Sequence, residues 1–216
     1  MIPLDRIQED LAALQIWAEE GKPLPFIDEG QDFIVGEPMA EAELSKFEND
    51  FEVSLPPEYR SFLQRFGDAR VGPGQFRRLG ETLTARSKRA FPLQEPFLGC
   101  FSVSHQELSQ QRQSEEFGRL LQRWQSIPKE DGILAITDYG CAIYGVLILN
   151  GAHRGQVWIQ HGDSAYYGPF GGSELLHDES ASADWKATDH PREYSFFEWY
   201  ESWLNIRMKM AGLLPW

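Results

Sequence analysis

Three amphipathic helices are predicted in the first third of the chain, because apolar residues recur there at three- and four-residue steps. The first begins at Pro3, whose missing N–H is not needed at the first position of a helix. The third has the clearest signals: Pro57 can open it, Glu58 favours its positive N-terminal end, and Gly67 can close it in the left-handed conformation. The apolar faces consist of Leu4, Ile7, Leu11, Leu14 and Ala18 in the first helix, Leu44, Phe47 and Phe51 in the second, and Tyr59, Phe62, Leu63 and Phe66 in the third.

Two further helices are predicted from Ser-x-x-Glu capping boxes, which begin at Ser104 and Ser195. The connection from Gly21 to Pro38 shows no period, and Gly72–Gly74 and Gly80 indicate turns around short strands. The apolar faces of the two helices consist of Phe117, Leu120, Leu121 and Trp124, with Gly118 as a point of division, and of Trp199, Trp203, Ile206 and Met210; the connection can pack through Phe26, Ile27, Phe33 and Ile34.

Three apolar stretches in the second half predict strands: ILAIT (133–137), AIYGVLIL (142–149) and GQVWIQ (155–160). The short turns between them favour an antiparallel meander. Helices followed by a meander and a closing helix predict a single α+β domain, with an antiparallel sheet of about five or six strands packed with helices. We expect one common core that contains Tyr59, Phe62, Leu63, Phe66, Val146, Ile148, Val157, Trp199 and Trp203.

The composition excludes two classes of protein. With 216 residues, 42% of them hydrophobic, the chain can bury a core and is not wholly disordered. Its longest uncharged apolar run, from Ile143 to Leu149, is far shorter than the roughly 20 residues that cross a bilayer. The N-terminal stretch lacks a basic leader followed by an apolar block, so it does not resemble a signal peptide. We therefore expect a cytoplasmic protein without a membrane partner.

The charge is strongly acidic but unevenly distributed. The net charge is −13 overall: −12 over residues 1–58, +6 over residues 59–89 and −7 over residues 90–216. Such a surface repels a phosphate backbone unless a basic patch is segregated, so nucleic acid is not the expected partner. The basic segment 59–89 leaves three alternatives: it binds an acidic partner, it binds nucleic acid, or it balances the acidic N-terminal region within the fold.

Neither cysteine points to chemistry. Cys100 and Cys141 cannot supply a disulfide framework or a four-cysteine metal site. Cys141 stands at the mouth of an apolar strand, where we expect a buried, inert thiol rather than a nucleophile activated by His153.

The spacing of the histidines and glycines matches no motif for a metal site, a nucleotide site or catalysis. None of the histidines forms the His-x-x-x-His spacing that places two ligands on one helical face. The best cluster, His161 and Asp163 with His177 and Asp178, would need a loop that folds back. No phosphate-binding glycine motif is present. The five histidines are His105, His153, His161, His177 and His190.

An aromatic loop follows the third predicted strand. Tyr166, Tyr167 and Phe170 lie in a stretch that contains glycine and proline, 164–173. Two interpretations stay open: the rings form a partner-binding patch, or they cover the edge of the sheet.

The ordered set of motifs resembles the Smi1/Knr4 (SUKH) superfamily. The resemblance spans roughly residues 38–210, and it implies protein recognition rather than catalysis. Bacterial members are implied to be immunity proteins that bind and neutralise toxins, many of them nucleases, and fungal members to be regulatory binding proteins. The motifs are a helix that ends near Phe51, Leu55-Pro56-Pro57-Glu58-Tyr59 with Phe62, Leu63 and Gly67, the segment Ile133–Gly140, then Gly155, Val157, Trp158 and His161, and a closing aromatic helix, Phe196–Leu204.

The resemblance implies a SUKH-like domain over residues 38–210, with residues 1–37 forming a helix and a connection packed on it. We expect a non-enzymatic protein of the bacterial immunity type without a cofactor, whose partner is a basic toxin domain; the alternative is a regulatory or scaffolding module. Acids steer a basic partner and exposed aromatic anchors hold it. The predicted partner-binding residues are Asp163, Tyr166, Tyr167 and Phe170, then Glu48, Asp50 and Glu52 beside the second helix.

Overall fold

A computed structural model of the chain describes residues 3–22, 35–97, 115–162, 165–170 and 192–215. The predicted capping box at Ser104, and the packing predicted for Phe26, Ile27, Phe33 and Ile34, lie outside these residues. The described helices are α1 (Pro3–Glu19), α2 (Glu41–Phe51), α3 (Pro57–Phe66), α4 (Leu79–Thr82), α5 (Glu115–Ser126) and α6 (Phe196–Met210).

The described strands form one antiparallel sheet in the order β1-β2-β3-β4-β5, and β6 also pairs with β4. The α+β class and the predicted meander β2-β3-β4 are confirmed. The strands are β1 (Gln75–Phe76), β2 (Ile133–Gly140), β3 (Ile143–Ile148), β4 (Gln156–His161), β5 (Tyr166–Pro169) and β6 (Tyr194–Ser195).

The sheet is buried on both faces, so the prediction of one common core is wrong in one respect. Successive side chains of a strand point to opposite faces. Leu147 therefore packs in a first core with the helices α1, α2, α3 and α6, whereas Val146 and Ile148 pack in a second core beneath Trp124 of α5. All nine predicted residues are buried, and seven of them belong to the first core. The second core consists of Phe91, Trp124, Ile133, Val146, Ile148, Trp158, Ala165 and Tyr167.

Helix α3 begins at Pro57 and ends before Gly67, as predicted, but its last turn closes differently. Gly67 has φ 64° and ψ −157°, which is not the left-handed helical conformation. This region is accessible only to glycine. A Cβ at Gly67 would overlap the carbonyl oxygen of Glu37, and a Cβ at Gly36 would lie 2.8 Å from the backbone nitrogen of Asp68. Two glycines thus let residues 35–39 lie directly against the end of α3.

The capping box that opens α6 is confirmed. The hydroxyl of Ser195 accepts from the Glu198 N–H (3.3 Å), and the carboxylate of Glu198 accepts from the Ser195 N–H (3.0 Å). Two glycine predictions differ from the structure. Gly80 lies within the short helix α4 rather than in a turn, and α5 continues through Gly118 without division.

Helix α1 packs on the rest of the fold. Its Ile7, Leu11 and Leu14 are buried in the first core, and the guanidinium of Arg6 donates to the side-chain oxygen of Asn205 on α6 (2.9 Å). Because α1 shares this core, its apolar stripe has the role that its spacing predicts.

Strand β4 holds two separate parts of the chain. Its last four residues pair with β5, and its first two residues pair with β6. Phe170 directly follows β5, and its carbonyl accepts from the backbone N–H of Arg192, two residues before β6 (3.1 Å). The chain therefore leaves β5 and returns to β6 at adjacent positions. Within the described ranges, no helix has the length and apolar character needed to cross a membrane.

Candidate partner-binding surface

The predicted aromatic anchors are buried, which corrects the expectation that they are exposed. Tyr166, Tyr167 and Phe170 are each at most 2% exposed. Strand β5 is enclosed, because Phe97 forms an antiparallel bridge with Tyr167 on the side away from β4. The predicted aromatic loop is a strand: Tyr166 and Tyr167 belong to β5, with Tyr166 and Phe170 packed in the first core and Tyr167 in the second. Asp163 lies outside the described residues.

The polar ends of these rings are used inside the fold. The Tyr166 hydroxyl donates to the Pro169 carbonyl (2.6 Å), and the Tyr167 hydroxyl donates to the Lys129 carbonyl (3.3 Å). Burial raises the pKa of the Tyr167 hydroxyl, which stays protonated. The rings therefore stabilise the two cores and offer no contact to a partner in this conformation.

Glu48 of α2 has a structural role. Its carboxylate accepts from the backbone N–H of Leu55 (2.8 Å) and from the Arg60 side chain (3.2 Å), and its side chain is only 19% exposed. It thereby joins the end of α2 to the start of α3. A carboxylate engaged in this way is not available to a partner.

Asp50 and Glu52 are more exposed, at 53% and 70% of their side chains. Asp50 pairs with Lys46 one turn earlier (2.5 Å), and Glu52 pairs with Lys88 (2.6 Å). Exposed ion pairs of this kind contribute little to stability and exchange readily with a competing charge. The exposed Glu43 shares a helical face with Asp50, and Glu52 directly follows the helix as its C-cap; we call these three residues the α2 acidic surface (Glu43, Asp50, Glu52).

The basic segment 59–89 is largely neutralised within the fold. Seven of its eight basic residues lie within 4.0 Å of a carboxylate. This arrangement favours the third interpretation, in which the segment balances acids of the fold. The pairs are Arg60 with Glu41 and Glu48, Arg65 with Asp5, Arg70 with Glu81, Arg77 with Asp138, Arg86 with Glu130 and Asp131, Lys88 with Glu52, and Arg89 with Asp131.

Arg60 forms the ion pair with the most specific geometry in this segment. Its two terminal nitrogens donate to the two oxygens of Glu41 (2.7 and 2.6 Å), a bidentate geometry that adds specificity as well as energy. The Glu41 carboxylate raises the pKa of Arg60, and Arg60 lowers the pKa of Glu41. Helix α2 is thereby fixed on α3, and the α2 acidic surface has a rigid base.

A second acidic group lies where α1 meets α6. Burial raises the pKa of Asp10 on α1 and of Glu201 on α6, and the two carboxylates repel each other. Arg6 lies between the helices, with its Nε 3.8 Å from the Asp10 carboxylate, and it offsets part of this repulsion. Glu58 and Glu198 add to the raised pKa of Glu201.

Cys141 is exposed, so the prediction of a buried thiol is wrong. It occupies the two-residue turn between β2 and β3, where both Cys141 and Ala142 have positive φ (49° and 59°). Such turns project from the sheet. His153 lies beyond the other end of β3, a strand of six residues that spans about 20 Å. Its ring packs on Trp158 (4.6 Å), so the two residues form no catalytic pair.

Within the described ranges, no group of three or more histidine, cysteine, aspartate or glutamate side chains is placed to hold a metal ion. Of the four residues in the best candidate cluster, the structure describes only His161; Asp163, His177 and Asp178 lie outside the described ranges.

The model of the SMI1/KNR4 family (SUKH-1) matches residues 38–203. The chain belongs to this family. The Smi1/Knr4 prediction is thereby confirmed, and membership supports a role in protein–protein interaction. Comparison with curated proteins and with solved structures gives no match. The SUKH-1 match covers every described strand, α2–α5 and the first half of α6, but not α1. The division of the chain into residues 1–37 and 38–210 stays a prediction.

Three large apolar side chains are exposed in the described part of the chain, and all three lie outside the SUKH-1 match: Ile16 (58%), Val35 (40%) and Leu213 (37%). None of the three is among the partner-binding residues predicted from the sequence. The signal for Ile16 is that it falls on the polar side of α1, away from the stripe of Leu11 and Leu14. Among the described residues, the exposed large apolar side chains therefore belong to segments that precede or follow the SUKH-1 match.

Proposed function

We propose that this SUKH-1 protein is an immunity protein, which binds a cognate toxin with a basic binding surface and neutralises it without catalysis. The observation that carries the proposal is the charge distribution on a domain of this family. The chain has 33 acids against 20 lysines and arginines, and the basic segment is largely consumed by internal ion pairs. What remains for a partner is a surplus of carboxylates.

The α2 acidic surface supports this function in two ways. Asp50 and Glu52 are exposed and held only by single lysines. Helix α2 itself is fixed by Arg60 and Glu48, so its acids stand in defined positions before the partner arrives. Complementary charge chiefly accelerates encounter and selects the partner, whereas buried contacts determine how long a complex lasts.

The test is co-expression with the toxin domain encoded beside this protein's gene, with cell survival and direct binding of the purified proteins as readouts. We expect protection and a stoichiometric complex. Asp50→Asn with Glu52→Gln should slow association severalfold and make it less dependent on salt, with little change in the dissociation rate. The matched control is Glu95→Gln with Glu115→Gln, which removes two exposed acids from the segments that carry Phe97 and Trp124 of the second core.

Two results would count against the proposal. If no neighbouring toxin is neutralised or bound, the regulatory-module alternative is favoured. If the control pair slows association as much as the α2 pair, overall charge and not the α2 acidic surface directs the encounter.

A further inference from the structure

An open groove of about 440 Å³ lies between α1 and α3. Its apolar lining comes from Leu11 and Ala12 of α1, Phe66 of α3, Val35 and Pro38, and its polar lining from Gln8, Gln15 and Arg65. Leu11 and Phe66 are almost fully buried and present only their edges, while Val35 is 40% exposed. The groove is therefore a mainly apolar recess with polar side chains at its edge, and it opens to the surface.

The apolar character continues outside the groove. Ile16 follows Ala12 by one helical turn and is 58% exposed, the largest exposed fraction among the described large apolar side chains. Single exposed hydrophobic residues are ordinary, but exposed apolar side chains beside an apolar recess mark interaction sites. Ile16 and Val35 are exposed apolar side chains of this kind.

The walls of the groove are held in place. Arg65 of α3 donates to Gln8 of α1 (2.7 Å), and the backbone N–H of Met39 donates to the Leu63 carbonyl (3.0 Å). The close approach that Gly36 and Gly67 allow fixes the same stretch against α3. A site that is already ordered loses little conformational entropy when it binds.

The charges around the groove are acidic. Glu9 and Glu19 are exposed on α1, three residues before Ala12 and three after Ile16, and Glu37 is exposed beside Pro38. The one cation in the lining, Arg65, is already engaged by Gln8 and lies 3.4 Å from Asp5. An apolar centre with an acidic rim complements an apolar side chain surrounded by lysine or arginine.

We propose that the α1–α3 groove is the docking site for a basic amphipathic segment of the partner protein, with an apolar side chain of that segment seated between α1 and α3. This inference rests on the proposed function, since it assigns the contact that holds the toxin after the acids have attracted it. One wall of the groove comes from α1, which the SUKH-1 match does not include. Helix α1 thus sets which partner this protein accepts.

The first experiment uses a synthetic amphipathic helix of leucine and lysine as probe, with a leucine–glutamate helix as the charge-reversed control. Binding is measured by fluorescence anisotropy and located by amide hydrogen exchange. We expect the lysine peptide to bind and to protect amides of residues 8–16 and 35–38, and the glutamate peptide not to bind.

The variants separate apolar docking from charge attraction. Ile16→Ser with Val35→Ser leaves every charge in place and should weaken binding of the lysine peptide by about tenfold or more. Ala12→Trp, at an exposed helical position, should fill the groove and have the same effect. Leu213→Ser is the matched control, because it also removes an exposed apolar side chain and should leave binding unchanged. Equal affinity for the wild type and both groove variants would overturn the inference, as would protection at another surface.

Analytical ultracentrifugation of the free protein tests whether a second copy of this chain occupies the groove instead. A dimer that Ile16→Ser with Val35→Ser dissociates would show that a second copy fills the groove, which overturns the inference. In the survival assay, the wild type and the groove variant could protect cells equally well. That result would overturn the groove as the docking site and leave the immunity function standing. A wild type that fails to protect but binds the lysine peptide in the groove would overturn the function and support the groove.

Discussion

Replacement of Phe62 by alanine tests the centre of the first core. Phe62 is fully buried on α3, and its ring lies 4.9 Å from those of Phe66 and Tyr200, 5.2 Å from Phe196 and 6.2 Å from Phe76. These neighbours come from α3, β1 and α6. The ring therefore joins α3 and β1, which are close in the sequence, to α6 near the other end of the chain.

The expected cost follows from this setting. Phe→Ala in a core costs about 3–5 kcal/mol, of which part reflects the cavity that remains. The walls around Phe62 are rigid rings held by separate elements, so the cavity cannot collapse and we expect about 4–5 kcal/mol. For a chain of this length, each kcal/mol lowers the melting temperature by about 2–4 °C, so the midpoint should fall by roughly 8–20 °C.

Urea unfolding, followed by tryptophan fluorescence and circular dichroism, measures the change directly. The control is Phe47→Ala on α2, where a half-buried ring stacks on Phe51 at 6.0 Å and the loss should be about 1–2 kcal/mol. If the Phe62→Ala protein does not fold, Phe62→Leu should retain the fold at a cost of about 1–1.5 kcal/mol. A loss for Phe62→Ala below about 2 kcal/mol, or no larger than that of Phe47→Ala, would refute the assignment of Phe62 to the centre of the core.

Gly67→Ala should destabilise the protein by more than about 2 kcal/mol, because its Cβ overlaps the Glu37 carbonyl; Gly118→Ala, with open space around a helical position, should instead stabilise by about 0.5–1 kcal/mol, and equal melting temperatures for the two variants would contradict this contrast. The raised pKa of Glu201 means that the folded state binds the carboxyl proton more tightly than the unfolded state does. The protonated carboxyl therefore stabilises the fold in acid, and this contribution is lost as pH rises through the raised pKa. The Glu201→Gln variant should therefore have a higher melting temperature than the wild type at about pH 7, and the same melting temperature at about pH 4. A difference in melting temperature that grows as the pH falls would contradict this reasoning. Because the described residues hold no cluster of metal ligands, a chelator should leave the melting temperature unchanged, and a drop of several degrees would reveal a structural metal.

Elements with local end signals could be predicted from the sequence. Helix α3 is marked by Pro57 at its start and Gly67 at its end, and α6 by the Ser195 and Glu198 capping box. These signals act over a few residues, so neighbouring sequence suffices to reveal them.

The features that were missed depend on contacts between distant residues. In β3 the run of apolar residues does not alternate, because both faces are covered, so the separation of Val146 from Leu147 could not be inferred from periodicity. The burial of Tyr167 depends on Phe97, seventy positions earlier in the chain. The groove likewise exists only once α1 and α3 pack together, although Ile16 on the polar side of α1 was a signal in the sequence.

The pairing of β4 with both β5 and β6 makes one part of this domain tolerant of changes in length. Since the Phe170 carbonyl accepts from the Arg192 N–H, the sheet anchors the chain at both of these residues. Lengthening a closed loop costs little, about 0.6 kcal/mol for each doubling. Residues inserted between Phe170 and Arg192 should therefore leave the fold intact. An epitope tag or a fluorescent reporter placed there would leave both β5 and β6 in register.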